Sequence, residues 1–298
     1  MTILKKVEKN IKKVKLSYAV DQKHWVGDGF HVYGLLRPTE DLNKYISPFV
    51  MMDYASPKEF PKTNERRGVG EHPHRGFETV TFAYQGEVEH RDSSGGGGVI
   101  KPGDVQWMTA GRGVVHDEFH SVQFSKEGGV FEMVQLWINL PKKNKMTKPK
   151  YQEIKNKDIP RVKLGDKTEL RVIAGNYQDI RGPSNTFTDI NIYDITSKNS
   201  KDINLNYKNN TNTLILIMSG ELKIENKPFK ENNILIFERN GEDINFNISK
   251  NFKGLILNSE PIDEPIVSHG PFVMNTKQEI IEAIEDFQNG KMGNLFNK

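Results

Sequence analysis

The chain has 298 residues, 36% of them apolar, and a formal charge of +3, which is enough for two domains that each bury a core and too little positive charge for direct binding to nucleic acid. It contains no cysteine, which excludes disulfides and thiolate metal sites and fits a reducing, cytoplasmic setting. No run approaches the roughly 18 apolar residues that a membrane helix needs.

The first stretch, Met1 to Lys15, alternates lysines with single apolar residues and reads as a solvated strand or helix face, not as a signal peptide. From His24 to Tyr54, aromatic and β-branched residues are interrupted by Gly27, Gly29, Gly34, Pro38 and Pro48, the pattern of short strands and loops. Residues 55–70 read as a polar loop carrying Arg66 and Arg67 and leading to a pocket mouth. For these two and for Arg75 a surface position is the default, with Arg75 close enough in sequence to reach the pocket.

Gly70 to His120 holds five of the eight histidines, namely His72, His74, His90, His116 and His120. Side chains two apart on a strand share a face, so His72 pairs with His74 and His116 with Glu118. Turns at Ser93 to Gly98 and at Lys101 to Asp104 let the two pairs face each other, assembling three imidazoles and one carboxylate. That donor set suits one divalent ion of iron, manganese, nickel, cobalt, copper or zinc, and not magnesium or calcium. With iron, four protein ligands leave two positions for other molecules, whereas a zinc ion closed by the same four would be structural. Parity alone leaves the carboxylate open, because Glu78 shares the face of His74 in a straight strand. Val80, Phe82 and Tyr84 follow the same parity and are expected to line the interior. His90 reads as a solvated or hydrogen-bonded residue, and His120, on the face of His116, as one that orients a neighbour.

Val130 to Leu140 has the alternation of a buried strand, and Pro141 to Lys150 is basic, polar and bounded by prolines, as an exposed linker would be. The expected organisation is a metal-binding domain over 1–140, a linker over 141–150 and a second domain over 151–298. Strands at Thr213 to Ile224 and Asn233 to Phe237 make the second domain another β unit, and its Leu-Ile-Leu-Ile-Met-Ser-Gly-Glu-Leu echoes Thr-Val-Thr-Phe-Ala-Tyr-Gln-Gly-Glu-Val of the first. No histidine lies between His120 and His269, so the copy cannot rebuild the site. Thr276 and Glu279 have capping-box spacing before Ile280, Ile284 and Phe287, which predicts a C-terminal helix that stops near Gly290 and packs on a barrel wall. The fold class expected is all-β, with two tandem jelly-roll barrels and a short C-terminal helix.

His-Pro-His-Arg-Gly-Phe-Glu-Thr-Val at 72–80, the run from Pro102 to Glu118 and Ser-His-Gly-Pro-Phe-Val-Met-Asn-Thr at 268–276 resemble the pirin family of two-barrel cupins. The resemblance implies a metal, usually iron(II), on His72, His74, His116 and Glu118, and a metal-free second barrel. Glu78 would sit roughly 13 Å along a straight strand from His74, so it is expected behind the ligands, with Glu118 both ligand and catalytic base and His120 or Glu78 in reserve. The family's documented activity is the opening of quercetin by a 2,3-dioxygenase reaction, which implies a small aromatic, flavonol-like substrate. The other reading is an iron-dependent, redox-sensing regulator that binds a protein partner without turnover.

Overall fold

The computed structural model describes residues 10–37 and 39–295, so residues 1–9 of the lysine-rich N-terminal stretch lie outside the described residues. Strands follow one another as β1 (Val14–Ala19), β2 (Lys23–Val26), β3 (Phe30–Leu36), β4 (Phe49–Phe60), β5 (Gly68–His74), β6 (Phe77–Gln85), β7 (Val88–Asp92), β8 (Gly97–Ile100), β9 (Val105–Thr109), β10 (Val114–His120), β11 (Gly129–Asn139) and β12 (Lys150–Ile154). The second half continues with β13 (Arg161–Lys163), β14 (Thr168–Ala174), β15 (Asn176–Tyr177), β16 (Ile180–Arg181), β17 (Ile190–Ser197), β18 (Lys201–Asn206) and β19 (Asn212–Ser219). It ends with β20 (Glu221–Ile224), β21 (Lys227–Lys230), β22 (Asn233–Phe237), β23 (Asp243–Ile248), β24 (Phe252–Ser259), β25 (Val267–His269) and β26 (Phe272–Met274). Beside the expected C-terminal helix α3 (Lys277–Gln288) stand two short ones, α1 (Glu40–Ile46) and α2 (Val122–Glu127). The loop expected over 55–70 begins only after Phe60, because β4 runs on beside β11 to that residue.

In the first barrel the seven-stranded sheet β12-β9-β6-β11-β4-β3-β2 covers the four-stranded sheet β5-β10-β7-β8. The second repeats the arrangement as β1-β22-β19-β24-β17-β14-β13 over β18-β23-β20-β21. The echo between β6–β7 and β19–β20 is therefore a true equivalence of place. The expected boundary at 141–150 is crossed in both directions: β1 pairs with β22, Ser17 opposite Leu235, and β12 pairs with β9, Tyr151 opposite Met108. Nor is the 141–150 segment wholly exposed. Lys145 is buried and donates to Gly76 O at 2.8 Å, Asn139 Oδ1 at 2.7 Å and Val273 O at 2.7 Å.

The two seven-stranded sheets pack against each other, and their facing side chains form one core that includes Val80, Phe82 and Trp107 from the first barrel and Ile192, Leu214 and Leu257 from the second. Val80, Phe82 and Tyr84 thus face the other barrel, not the interior of their own. Lys253 from β24 lies over the Tyr84 ring at 4.2 Å. These side chains do not continue the parity of His74 because His74 ends β5 in one sheet and Phe77 begins β6 in the other, so the alternation restarts across Arg75-Gly76. Gly76 has φ +88°, and a Cβ there would lie 2.0 Å from Val273 O. Helix α3, with its Thr276–Glu279 capping box, packs on the outer wall of the first barrel, where Ile280 and Ala283 meet Val115 and Phe272. No helix among the described residues is long and apolar enough to cross a membrane.

Candidate metal centre

The inside of the first barrel is graded from end to end. At one end Phe30, Phe60, Phe124 and Phe131 form an apolar floor, and at the other the strands bring the histidines together. β10 lies between β5 and β7, with His116 opposite His72 on one side and Asp92 on the other, and Glu118 opposite His90. The ring centroids of His72 and His116 are 4.2 Å apart, those of His74 and His116 4.7 Å, and those of His72 and His74 4.8 Å. One ring nitrogen from each of the three lies within 4.8 Å of the others. His74 and His116 are buried and His72 is half-buried, so the cluster meets solvent on the His72 side.

Each imidazole is tethered through Nδ1. His72 Nδ1 lies 2.8 Å from Gly70 O, His74 Nδ1 3.3 Å from Pro271 O, and His116 Nδ1 3.3 Å from His90 Nδ1. Pro271 belongs to the 268–276 motif, and its neighbour Phe272 bridges to Arg75, which explains why that distant segment matters to the site. The Nε2 atom of His116 is buried without a hydrogen-bond partner. An orphaned imidazole nitrogen among two others costs free energy unless something fills the gap, and the three-nitrogen set suits a divalent transition metal. Burial, reinforced by the neighbouring imidazoles, holds His74 and His116 well below the usual histidine pKa, and the neutral ring is the form a metal binds.

Glu118 shares the inward face with His116 but belongs to a second set, in which its oxygen clusters with nitrogens of His116 and His90. His116 is common to both sets. The carboxylate is held by Gln106 Nε2 at 2.7 Å and Thr81 Oγ1 at 3.3 Å on Oε1, and by Gln135 Nε2 at 2.8 Å on Oε2. Beside His74 pack Phe77 and Trp137, at 5.0 and 5.1 Å between ring centroids, and the Trp137 N–H is buried without a partner.

Other candidates fall elsewhere. Glu78 is buried on the interbarrel face of β6 and accepts from Thr109 Oγ1 at 2.6 Å; burial pushes its carboxyl up to about 7. His120 sits in the aromatic floor, bonded to Gly29 O at 2.9 Å and stacked on Phe131, and burial lowers it to about 4. Arg75 is buried and turned toward the C-terminal helix, reaching Arg112 O at 2.7 Å and Asp286 at 2.9 Å. Arg66 lies over the Phe119 ring on the outer face, 4.0 Å from its centroid.

Of the two places expected for His90, the hydrogen-bonded one holds, and the residue is fully buried. Its Nε2 lies 3.3 Å from Asp92 Oδ2, and Tyr151 from β12 stacks on its ring. Burial alone would raise Asp92, but bonds from His90, Ser94 and Gly96 outweigh it and leave the carboxyl below its usual range. The sequence reasoning missed Asp92, Gln106 and Gln135. The signals were present: His90 and Asp92 are two apart, as His72 and His74 are, and each glutamine interrupts an apolar strand run.

Two family descriptions match the chain, Pirin over residues 30–138 and Pirin C-terminal cupin domain over residues 192–293. A crystal structure of a protein named quercetin 2,3-dioxygenase from Acinetobacter baumannii is 49% identical, covers 96% of this chain and 100% of its own, and superposes with a TM-score of 0.92. A Pseudomonas aeruginosa relative, provisionally named a quercetin 2,3-dioxygenase, is 46% identical over 94% of this chain and 98% of its own. Pirin-like protein 2 of Arabidopsis thaliana is 37% identical over 94% of this chain and 85% of its own.

Proposed function

Since the chain belongs to the pirin family, we propose that its first barrel holds one divalent metal ion, iron(II) in the native protein, on His72, His74, His116 and Glu118, and that the loaded protein opens a flavonol of the quercetin class with dioxygen. The observation that carries this reading is the convergence of three imidazoles at a barrel mouth, each tethered through Nδ1, with the His116 Nε2 atom buried and unpartnered. The names of the Acinetobacter and Pseudomonas relatives supply the substrate class.

Held by His72, His74, His116 and Glu118, a divalent ion would supply Lewis acidity that lowers the pKa of a substrate hydroxyl. The protein's own residues do the rest. Phe77 and Trp137 wall off the His74 side with apolar surface and exclude water from it. The half-buried His72 marks the side from which a flat ring approaches. Glu118, once released from the metal, takes the proton of the flavonol 3-hydroxyl, and Gln106, Gln135 and Thr81 keep that carboxylate on the face it shares with His116.

The test is an aerobic assay of the iron(II)-loaded protein with quercetin, followed by oxygen uptake and loss of the flavonol absorbance. Turnover is expected in the wild type and is abolished by His74→Ala. Absence of oxygen uptake with iron, manganese, nickel, cobalt, copper and zinc alike would end the dioxygenase reading.

A further inference from the structure

The three imidazoles of the centre are tethered in two different ways. His72 and His74 each meet a backbone carbonyl, at 2.8 and 3.3 Å. A carbonyl only accepts, so both rings carry their proton on Nδ1 and leave Nε2 bare. His116 instead meets His90 Nδ1 at 3.3 Å, a nitrogen that donates or accepts according to its own tautomer. The protonation of His116 is therefore decided one residue further away, where His90 Nε2 lies 3.3 Å from Asp92 Oδ2. A carboxylate only accepts, so the His90 proton sits on Nε2 and its Nδ1 is bare. His116 then donates from Nδ1, which leaves its Nε2 bare in the space where it has no protein partner.

We infer that Asp92 and His90 are positioning residues that act in series to fix the tautomer of His116 and so turn its Nε2 into a ligand. The inference rests on the reading of His116 as a metal ligand. The surroundings allow little else. Asp92 Oδ1 is taken by Ser94 N at 2.8 Å, Ser94 Oγ at 2.6 Å and Gly96 N at 3.1 Å, so only Oδ2 is left for His90. Tyr151 stacks on the His90 ring with centroids 5.1 Å apart and planes inclined by 17°, which keeps the ring from turning. Since Tyr151 lies on β12 beyond the 141–150 segment, the strand that crosses between the halves also braces the centre.

The same geometry makes Asp92→Asn an inverting substitution. Its amide oxygen stays on Ser94 and Gly96, whose backbone N–H groups only donate, and its NH2 is turned toward His90 Nε2. His90 then accepts at Nε2 and donates from Nδ1, which moves the His116 proton onto Nε2 and blocks that ligand. The experiment pairs 15N imidazole NMR of the metal-free protein with nickel(II) titration calorimetry on wild type, Asp92→Asn and Asp92→Glu. The wild type is expected to show His116 protonated on Nδ1 and Asp92→Asn to show it protonated on Nε2. Nickel(II) should bind about 10–100-fold more weakly to Asp92→Asn, and Asp92→Glu should recover most of the loss.

A wild-type His116 protonated on Nε2 would overturn the inference whether or not the variant folds. So would an unchanged tautomer and nickel(II) affinity in Asp92→Asn. Wild-type protein that takes up no nickel(II) would instead remove the metal-centre reading, and the metal-free NMR would still decide the tautomer.

Discussion

Glu78→Gln separates a buried structural carboxyl from a metal-site one. Glu78 is 1% exposed on the interbarrel face of β6, and burial raises its pKa from 4.5 to about 7. A raised carboxyl binds its proton more tightly in the folded chain than in the unfolded one. Its contribution is fully present below pH 4.5, is lost as pH rises toward 7, and remains as a constant penalty above that. A rise from 4.5 to about 7 corresponds to about 3 kcal/mol of differential stability. Glutamine keeps an acceptor for Thr109 Oγ1 and carries no charge. The variant should therefore be more stable than wild type by about 2–3 kcal/mol at pH 8 and equal to it near pH 4. Urea denaturation across this range reads the difference directly, and nickel(II) affinity should not change. A pH-independent difference, or a loss of metal affinity, would refute the placement of Glu78 away from the centre.

Three further outcomes follow from the geometry. Gly76→Ala puts a Cβ against Val273 O in a φ +88° conformation and should destabilise the fold by about 2 kcal/mol or more, with loss of metal affinity as the Pro271 tether of His74 shifts; denaturation and calorimetry check both. Phe82→Ala removes a buried ring from the interbarrel core and should cost about 3–5 kcal/mol without changing nickel(II) affinity, the reverse of what a pocket-lining residue would do. Gln106→Leu deletes the 2.7 Å bond to Glu118 and should weaken metal binding by about tenfold in a protein whose circular dichroism is unchanged.

Strand periodicity made the inward pairing of His72 with His74 and of His116 with Glu118 readable, because each pair lies within a single strand. It misassigned Val80, Phe82 and Tyr84, where the alternation was carried through Gly76 from one sheet into another. The capping box of α3 is a local signal and was legible; its packing on the first barrel depends on a hairpin almost 200 residues from His74 and was not. Likewise β1 and β12 cross between the halves through backbone pairing that leaves no residue pattern of its own. Lys145 looked like one more linker lysine, and only the three acceptors gathered around it distinguish it from its neighbours.

The most direct measurement of the central claim is an anomalous difference map from a crystal of the nickel(II)-loaded protein. The account predicts a single peak about 2.1 Å from the Nε2 atoms of His72, His74 and His116, with a Glu118 oxygen as the fourth protein ligand. A peak held by His90, His116 and Glu118 with His72 and His74 turned away, or no peak inside the first barrel, would contradict it.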